Sequence, residues 1–170
     1  IERHIMTDLS FEEWKKEASK ISFRNKAFIN GKFVDSISGK TFDSINPASG
    51  EILTSVAECN EEDVNLAVNA ARKAFQKGDW SKMPPSERKA VLLKLADLIR
   101  SNLKEFALLD SLDMGKLVSD AVTIDAPGSA MFFQWHAEAI DKMYDEIAPT
   151  GPGDLAMISR EQLFFFLIFI

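Results

Sequence analysis

Residues 60–75 read NEEDVNLAVNAARKAF, and this stretch decides how the rest of the chain is parsed. Val64, Ala67, Val68, Ala71 and Phe75 recur at i, i+3, i+4, i+7 and i+11, which puts one apolar stripe down a helix. Asn60 suits the N-cap. Glu61, Glu62 and Asp63 follow in the first turn, where unpaired N–H groups carry partial positive charge. Gly78 stops the helix. A stripe on one side only must pack on something, and the flanking segments are the candidates.

Upstream, the texture is strand and turn. Asn30-Gly31 sits between FI and KF, the dipeptide that a type I′ hairpin prefers because both central residues need positive φ. Ser38-Gly39 and NPASG (46–50) mark two further turns. The strand candidates KFVDS, KTFDSI and EILTSVA between them predict a small β-meander. Ahead of it lies a short amphipathic helix: Ser10 and Glu13 have capping-box spacing, and Phe11, Trp14, Ala18 and Ile21 fall on one face.

Downstream, helices take over. Pro84 and Pro85 suit the first turn of a helix whose apolar face is Val91, Leu92, Leu95, Leu98 and Ile99. A break near Ser101-Asn102 precedes a second helix through Phe106 and Leu109 to Met114, with Gly115 at the C′ position. A last helix is predicted from about Ser119 to Tyr144, bent near Pro127-Gly128. Pro149, Gly151, Pro152 and Gly153 then make a turn, and DLAMISRE is the return strand of a hairpin. The helices ask for a sheet larger than this chain supplies.

Composition excludes several classes. In 170 residues, 46% are hydrophobic and 27% charged, the balance of a folded domain and not of a disordered or collagen-like chain. Twenty Lys and Arg against twenty-six Asp and Glu give a charge of −6, the wrong sign for a nucleic-acid binder. A single cysteine allows no internal disulfide and suits a reducing cytoplasm. The first residues, IERHIMTDLSFEEWKK, contain no signal-peptide core, and the chain starts at Ile1 instead of Met. Leu163 to Ile170, LFFFLIFI, is about half the length of a membrane span, so no membrane partner is expected. That octet instead suits a buried or aggregation-prone strand.

Reactive groups are few. Cys59 precedes a helix N-cap, where the dipole would lower a thiol pKa, but neither His4 nor His136 is near in sequence. It is read as a small filler residue. The i+3 and i+4 positions from His136 hold Ala139 and Ile140, which leaves it without metal partners. Gly151-Pro152-Gly153 and Gly115-Lys116 are both incomplete as phosphate-binding loops. No catalytic and no cofactor-binding residue is assigned.

The order of segments carries further information. FINGKF, TFDSINPASGEIL, EEDVNLAVNAARKAF, GDW, RKAVLLKLADLI and LDMGK follow one another at spacings that resemble the N-terminal part of the NAD(P)-dependent aldehyde dehydrogenase superfamily. Within it, GDWSKMPPSERKAVLLKLADLI and AEAIDKMYDEI are most similar to the γ-glutamyl-γ-aminobutyraldehyde dehydrogenases. The resemblance implies an α/β fold, of which this chain holds the N-terminal β-meander, flanking helices and an oligomerisation hairpin. Residues 1–22 would be an N-terminal helix, 23–144 the N-terminal part of the NAD(P)-binding domain, 145–161 the arm, and 162–170 a divergent apolar tail.

In that superfamily an aldehyde is oxidised to a carboxylate through a cysteine thioester, with hydride passing to NAD or NADP. The chain contains no GQ-x-C nucleophile segment, no glutamate ahead of a Gly-Gly pair, no PWN asparagine and no cofactor turn. It is therefore expected to be inactive alone. Ser44, Ile45 and Asp113 match a monovalent-cation site that would hold Na⁺ or K⁺ through backbone carbonyls and one carboxylate. Residues 146–160 match an arm that crosses to another subunit, so a homo-oligomer or a full-length paralogue is the expected partner. The alternatives are a non-catalytic oligomerisation module and one half of a split enzyme. After ISRE the text departs abruptly from the family pattern, which suggests an interrupted reading frame near codon 161; the rival is a short variant whose tail forms one buried strand. With the helical stripes uncovered and that tail attached, poor solubility alone is expected.

Overall fold

The computed structural model describes residues 9–160; the apolar tail, the first eight residues and His4 lie outside them. The chain opens with helix α1 (Phe11–Ala18), followed by two hairpins, β1 (Ala27–Ile29) with β2 (Lys32–Val34) and β3 (Thr41–Ile45) with β4 (Ile52–Ala57). Helix α2 (Glu61–Lys77), α3 (Pro85–Ser101) and α4 (Leu103–Met114) come next. A single turn α5 (Val118–Asp120) runs through a π-helical turn (Ala121–Asp125) into α6 (Ala126–Ala139). The arm, β5 (Glu146–Ala148) with β6 (Ala156–Ile158), closes the described chain.

Local chemistry accounts for the element boundaries. The Ser10 hydroxyl and the Glu13 carboxylate cap α1 reciprocally, with Ser10 N–H donating to Glu13 Oε2 at 2.8 Å. Asn30 (φ 52°) and Gly31 (φ 77°) both adopt the left-handed conformation, as the tight β1–β2 turn requires. Pro85 starts α3, and Gly115 ends α4 at φ 74°, in the left-handed cap that relieves the last carbonyls.

The strands do not form one continuous meander. Each antiparallel pair is a separate two-stranded ladder. The chain between β2 and β3 is instead drawn into a turn, where Gly39 N–H donates to Ser36 O and the Ser36 hydroxyl donates to Lys40 O. The two hairpins meet through Ala57 N–H, which donates to Asn25 O at 2.9 Å.

The core sits between helices. Trp14 of α1 packs with Ala107 and Leu108 of α4 and with Ala121 and Val122 of the π-turn, and Leu9, Ala18, Ile21 and Val118 flank that cluster. Of the four residues expected on the apolar face of α1, Phe11 instead points into solvent at 76% exposure. Helices α3 and α6 pack against each other, and Ala96 of the first and Ala130 and Ala137 of the second are fully buried. Alanine at the contact lets two helix axes approach closely.

Burial bears out Ile99 on the expected face of α3 and corrects that face at Val91, Leu95 and Leu98. Ala96 and Ile99 are its buried residues, whereas Val91, Leu95 and Leu98 are exposed. The large residues make a conspicuous stripe, but the fully buried position on α3 is an alanine. The last helix is also shorter than expected. It ends at Ala139, where Ile140 and Lys142 N–H groups make i→i−3 bonds to Ala137 and Ala139 and the Lys142 ammonium donates to Glu138 O. Just past that end, Asp141 is held by Lys89 of α3 at 2.7 Å. The irregularity that Pro127 announces lies upstream of it. A proline ring crowds the carbonyl of residue i−4, here Thr123, and that residue sits inside the widened π-turn.

No helix among the described residues is long and apolar enough to cross a membrane.

Candidate functional site

Two places in the fold bring polar side chains together across long stretches of sequence, and in both an aspartate ties a hairpin to a helix end. The first lies at the N-terminus of α2. Asn60 Oδ1 accepts from the N–H groups of Glu62 and Asp63 at 2.9 and 3.2 Å, and Asp63 Oδ2 accepts from Asn60 N–H at 3.0 Å. The other oxygen, Asp63 Oδ1, accepts from the N–H of Ile37 at 3.0 Å, in the turn before β3. Asp63 is 2% exposed and is the largest fully buried side chain among the described residues. Its charge faces backbone donors on both oxygens, which is what allows a carboxylate to be buried.

Sequence reasoning placed Asp63 among first-turn acids serving the helix dipole and missed its second contact. The capping spacing Asn60–Asp63 was a readable signal; the partner twenty-six positions upstream was not.

Beside this clamp, Cys59 is exposed and unpaired. Partial burial and then the neighbouring Asp63 carboxylate push its thiol pKa up, opposite to the lowering expected from the helix N-terminus. A thiolate is disfavoured here. His136 Nδ1 lies 2.8 Å from Phe132 O within its own helix, and its ring meets Trp135 edge-on. No group of three or more His, Cys, Asp or Glu suited to a metal occurs among the described residues.

The second place joins β3 to the end of α4. Ser44 Oγ donates to Asp113 Oδ1 at 2.9 Å, across sixty-nine positions of sequence. Two of the three residues expected at a monovalent-cation site are thus brought into contact. The third, Ile45, adjoins them where the β3–β4 ladder shifts register between Ser44 and Ile45. Such a shift leaves backbone groups outside the regular pairing.

The surrounding turn is rigidly built. Asn46 N–H donates to Glu51 O at 2.9 Å, Gly50 N–H to Asn46 O at 2.8 Å, and Ala48 N–H to Asn46 Oδ1 at 2.9 Å. Pro47 then packs on Gly115, where an added Cβ would fall 2.9 Å from the proline ring on a backbone already at φ +74°. Gly115 is therefore required twice, for its conformation and for the close approach.

Chemically, this cluster offers oxygen atoms and one negative charge and no sulfur or imidazole. That donor set suits a hard cation. Asp113 is exposed, and one hydroxyl occupies only a fraction of its acceptor capacity. Lys116, one turn on, is held by Asp125 of the π-turn at 2.5 Å. That hydrogen bond, with the further charges of Asp120 and Asp110, raises the lysine pKa above its ordinary value.

A dinucleotide cradle needs parallel strands whose C-terminal ends meet a glycine turn and a helix N-terminus. The described residues hold three antiparallel hairpins and no such crossover.

The arm stands apart. Glu146 pairs with Ile158, Ile147 with Met157 and Ala148 with Ala156, and neither strand joins another sheet. Ile147 is 73% and Met157 71% exposed. At its base, Arg160 N–H donates to Asp145 Oδ1 at 3.0 Å, and its guanidinium bonds Tyr144 O and Glu146.

Comparison with known proteins completes the picture. The aldehyde dehydrogenase family profile matches residues 33–167, which carries the match into the apolar tail. Aminoacetaldehyde dehydrogenase of Pseudomonas aeruginosa is 46% identical over 159 residues, covering 93% of this chain and 32% of that protein. The crystal structure of γ-glutamyl-γ-aminobutyraldehyde dehydrogenase from Burkholderia cenocepacia superposes with a TM-score of 0.82 at 45% identity, over 84% of this chain and 29% of that one. A structure of the P. syringae indole-3-acetaldehyde dehydrogenase, a variant in complex with NAD⁺ and IAA, gives 0.87 at 44% identity, over 90% of this chain and 31% of that one. The chain thus spans about a third of the length of the relatives it matches.

Proposed function

This chain belongs to the aldehyde dehydrogenase family, and from that premise we propose that it supplies the N-terminal portion of an enzyme that oxidises an aldehyde to a carboxylate with NAD(P). The observation that carries the proposal is the collinear match over 93% of the chain at 46% identity. NAD⁺ or NADP⁺ would accept the hydride when bound. The role of these residues is to build: α2, α3 and α6 as layers with unfilled apolar faces, the Ser44–Asp113 junction as a joint, and β5–β6 as an arm.

The chain of 170 residues has one thiol, Cys59, whose surroundings favour the neutral form. A nucleophile for thioester chemistry must then come from sequence outside it. Aminoacetaldehyde is the first substrate to try, because the relative at 46% identity is named for it. The purified chain should give no aldehyde-dependent NAD(P)H absorbance, and mixing it with the remaining two-thirds of a relative should restore it. Turnover by the chain alone, persisting in Cys59→Ser, would overturn this division of labour.

At the second clamp we assign Na⁺ or K⁺ to Ser44, Ile45 and Asp113, supported by the oxygen-only donor set and the spare capacity of Asp113. A single exposed thiol also fits a cytoplasmic setting.

The arm favours a second, compatible reading, an association module. An isolated two-stranded hairpin is marginal in water, and this one leaves Ile147, Met157 and Leu155 uncovered. A homo-oligomer or a full-length paralogue gripped through residues 146–160 would cover them. Co-purification with a tagged full-length family member should be lost on deleting 146–160 or in Ile147→Lys. Capture that survives both changes would remove the arm from the interface.

A further inference from the structure

We draw no further inference here: the strongest candidate, the exposed apolar stripe of Val91, Leu95 and Leu98 on α3, carries nothing because nothing in the structure shows what covers it.

Discussion

Asp63 and Asp113 perform the same mechanical task at two ends of the helical layer, under opposite solvation. Asp63 sits at the start of α2, buried, with both oxygens taken by backbone N–H groups from Asn60 and Ile37. Asp113 sits near the end of α4, exposed, with one bond from the Ser44 hydroxyl. A buried carboxylate that loses its partners, or leaves them behind, costs the desolvation of every group involved. An exposed one can exchange its partner for water or an ion at little cost. The first joint is therefore structural, and the second is open to a ligand. Each of three changes would test that division.

The largest effect belongs to the buried joint. Asp63→Ala strips the acceptor from two N–H groups, and at roughly 1–3 kcal/mol for each unsatisfied donor the loss should be about 3 kcal/mol. Asp63→Asn keeps one carbonyl oxygen and should fall between alanine and the parent. Urea unfolding followed by circular dichroism reads both. A midpoint for Asp63→Ala equal to the parent would mean that water replaces the carboxylate and that the joint is not buried in solution.

How far these joints could be read in advance follows from the range of the interactions. Caps and turns are local, and residues such as Ser10 with Glu13, Asn30-Gly31, Pro85 and Gly115 announce them within four positions. The helix order followed from such signals and from the family resemblance, whereas the expected meander came apart into separate hairpins. Faces are not local. Val91, Leu95 and Leu98 form the more conspicuous stripe on α3, yet its buried residues are Ala96 and Ile99, and those of α6 are all alanine. Alanine is too small to dominate a periodicity, although it decides how near two helices come. The end of α6 is non-local too, since Asp141, just beyond it, pairs with Lys89 of α3, fifty-two positions upstream. Of the candidate site, the residues were named through the resemblance, but the Ser44 hydroxyl, the Asn46 turn and the Pro47–Gly115 contact needed coordinates.

A smaller effect is expected at the open joint, and it appears only with the ion. Titrating K⁺ at constant ionic strength, with choline as the balancing cation, should raise the unfolding temperature of the parent chain by mass action. Asp113→Asn removes the charge and should abolish that rise while leaving the midpoint without K⁺ close to the parent's. Ser44→Ala should weaken the response and not erase it. Asp63→Asn serves as the control: less stable throughout, but with the K⁺ response intact. An unchanged response in Asp113→Asn would remove the cation from this joint.

The smallest effect concerns the ion pair that braces the open joint from below. Lys116 follows the Gly115 cap, its carbonyl accepts from the Ser111 hydroxyl at 2.8 Å, and its ammonium meets Asp125 at 2.5 Å. The pKa is raised in the folded chain, first by the bond to Asp125 and then by the charges of Asp125, Asp120 and Asp110. A raised lysine pKa means that the folded state holds its proton more tightly than the unfolded one. The stabilisation is then complete below the ordinary value of 10.5 and fades as pH climbs through the higher folded value. Both side chains remain about a third exposed, so water and salt screen the pair and the effect stays small. Between pH 9 and pH 11.5, about the range in which lysines titrate, the parent should lose slightly more stability than Lys116→Met. The gap should narrow in 1 M salt, where screening reaches about 3 Å. If the two chains lose stability in parallel, the brace is incidental, and the open joint depends on Ser44, Asp113 and the Pro47–Gly115 contact alone.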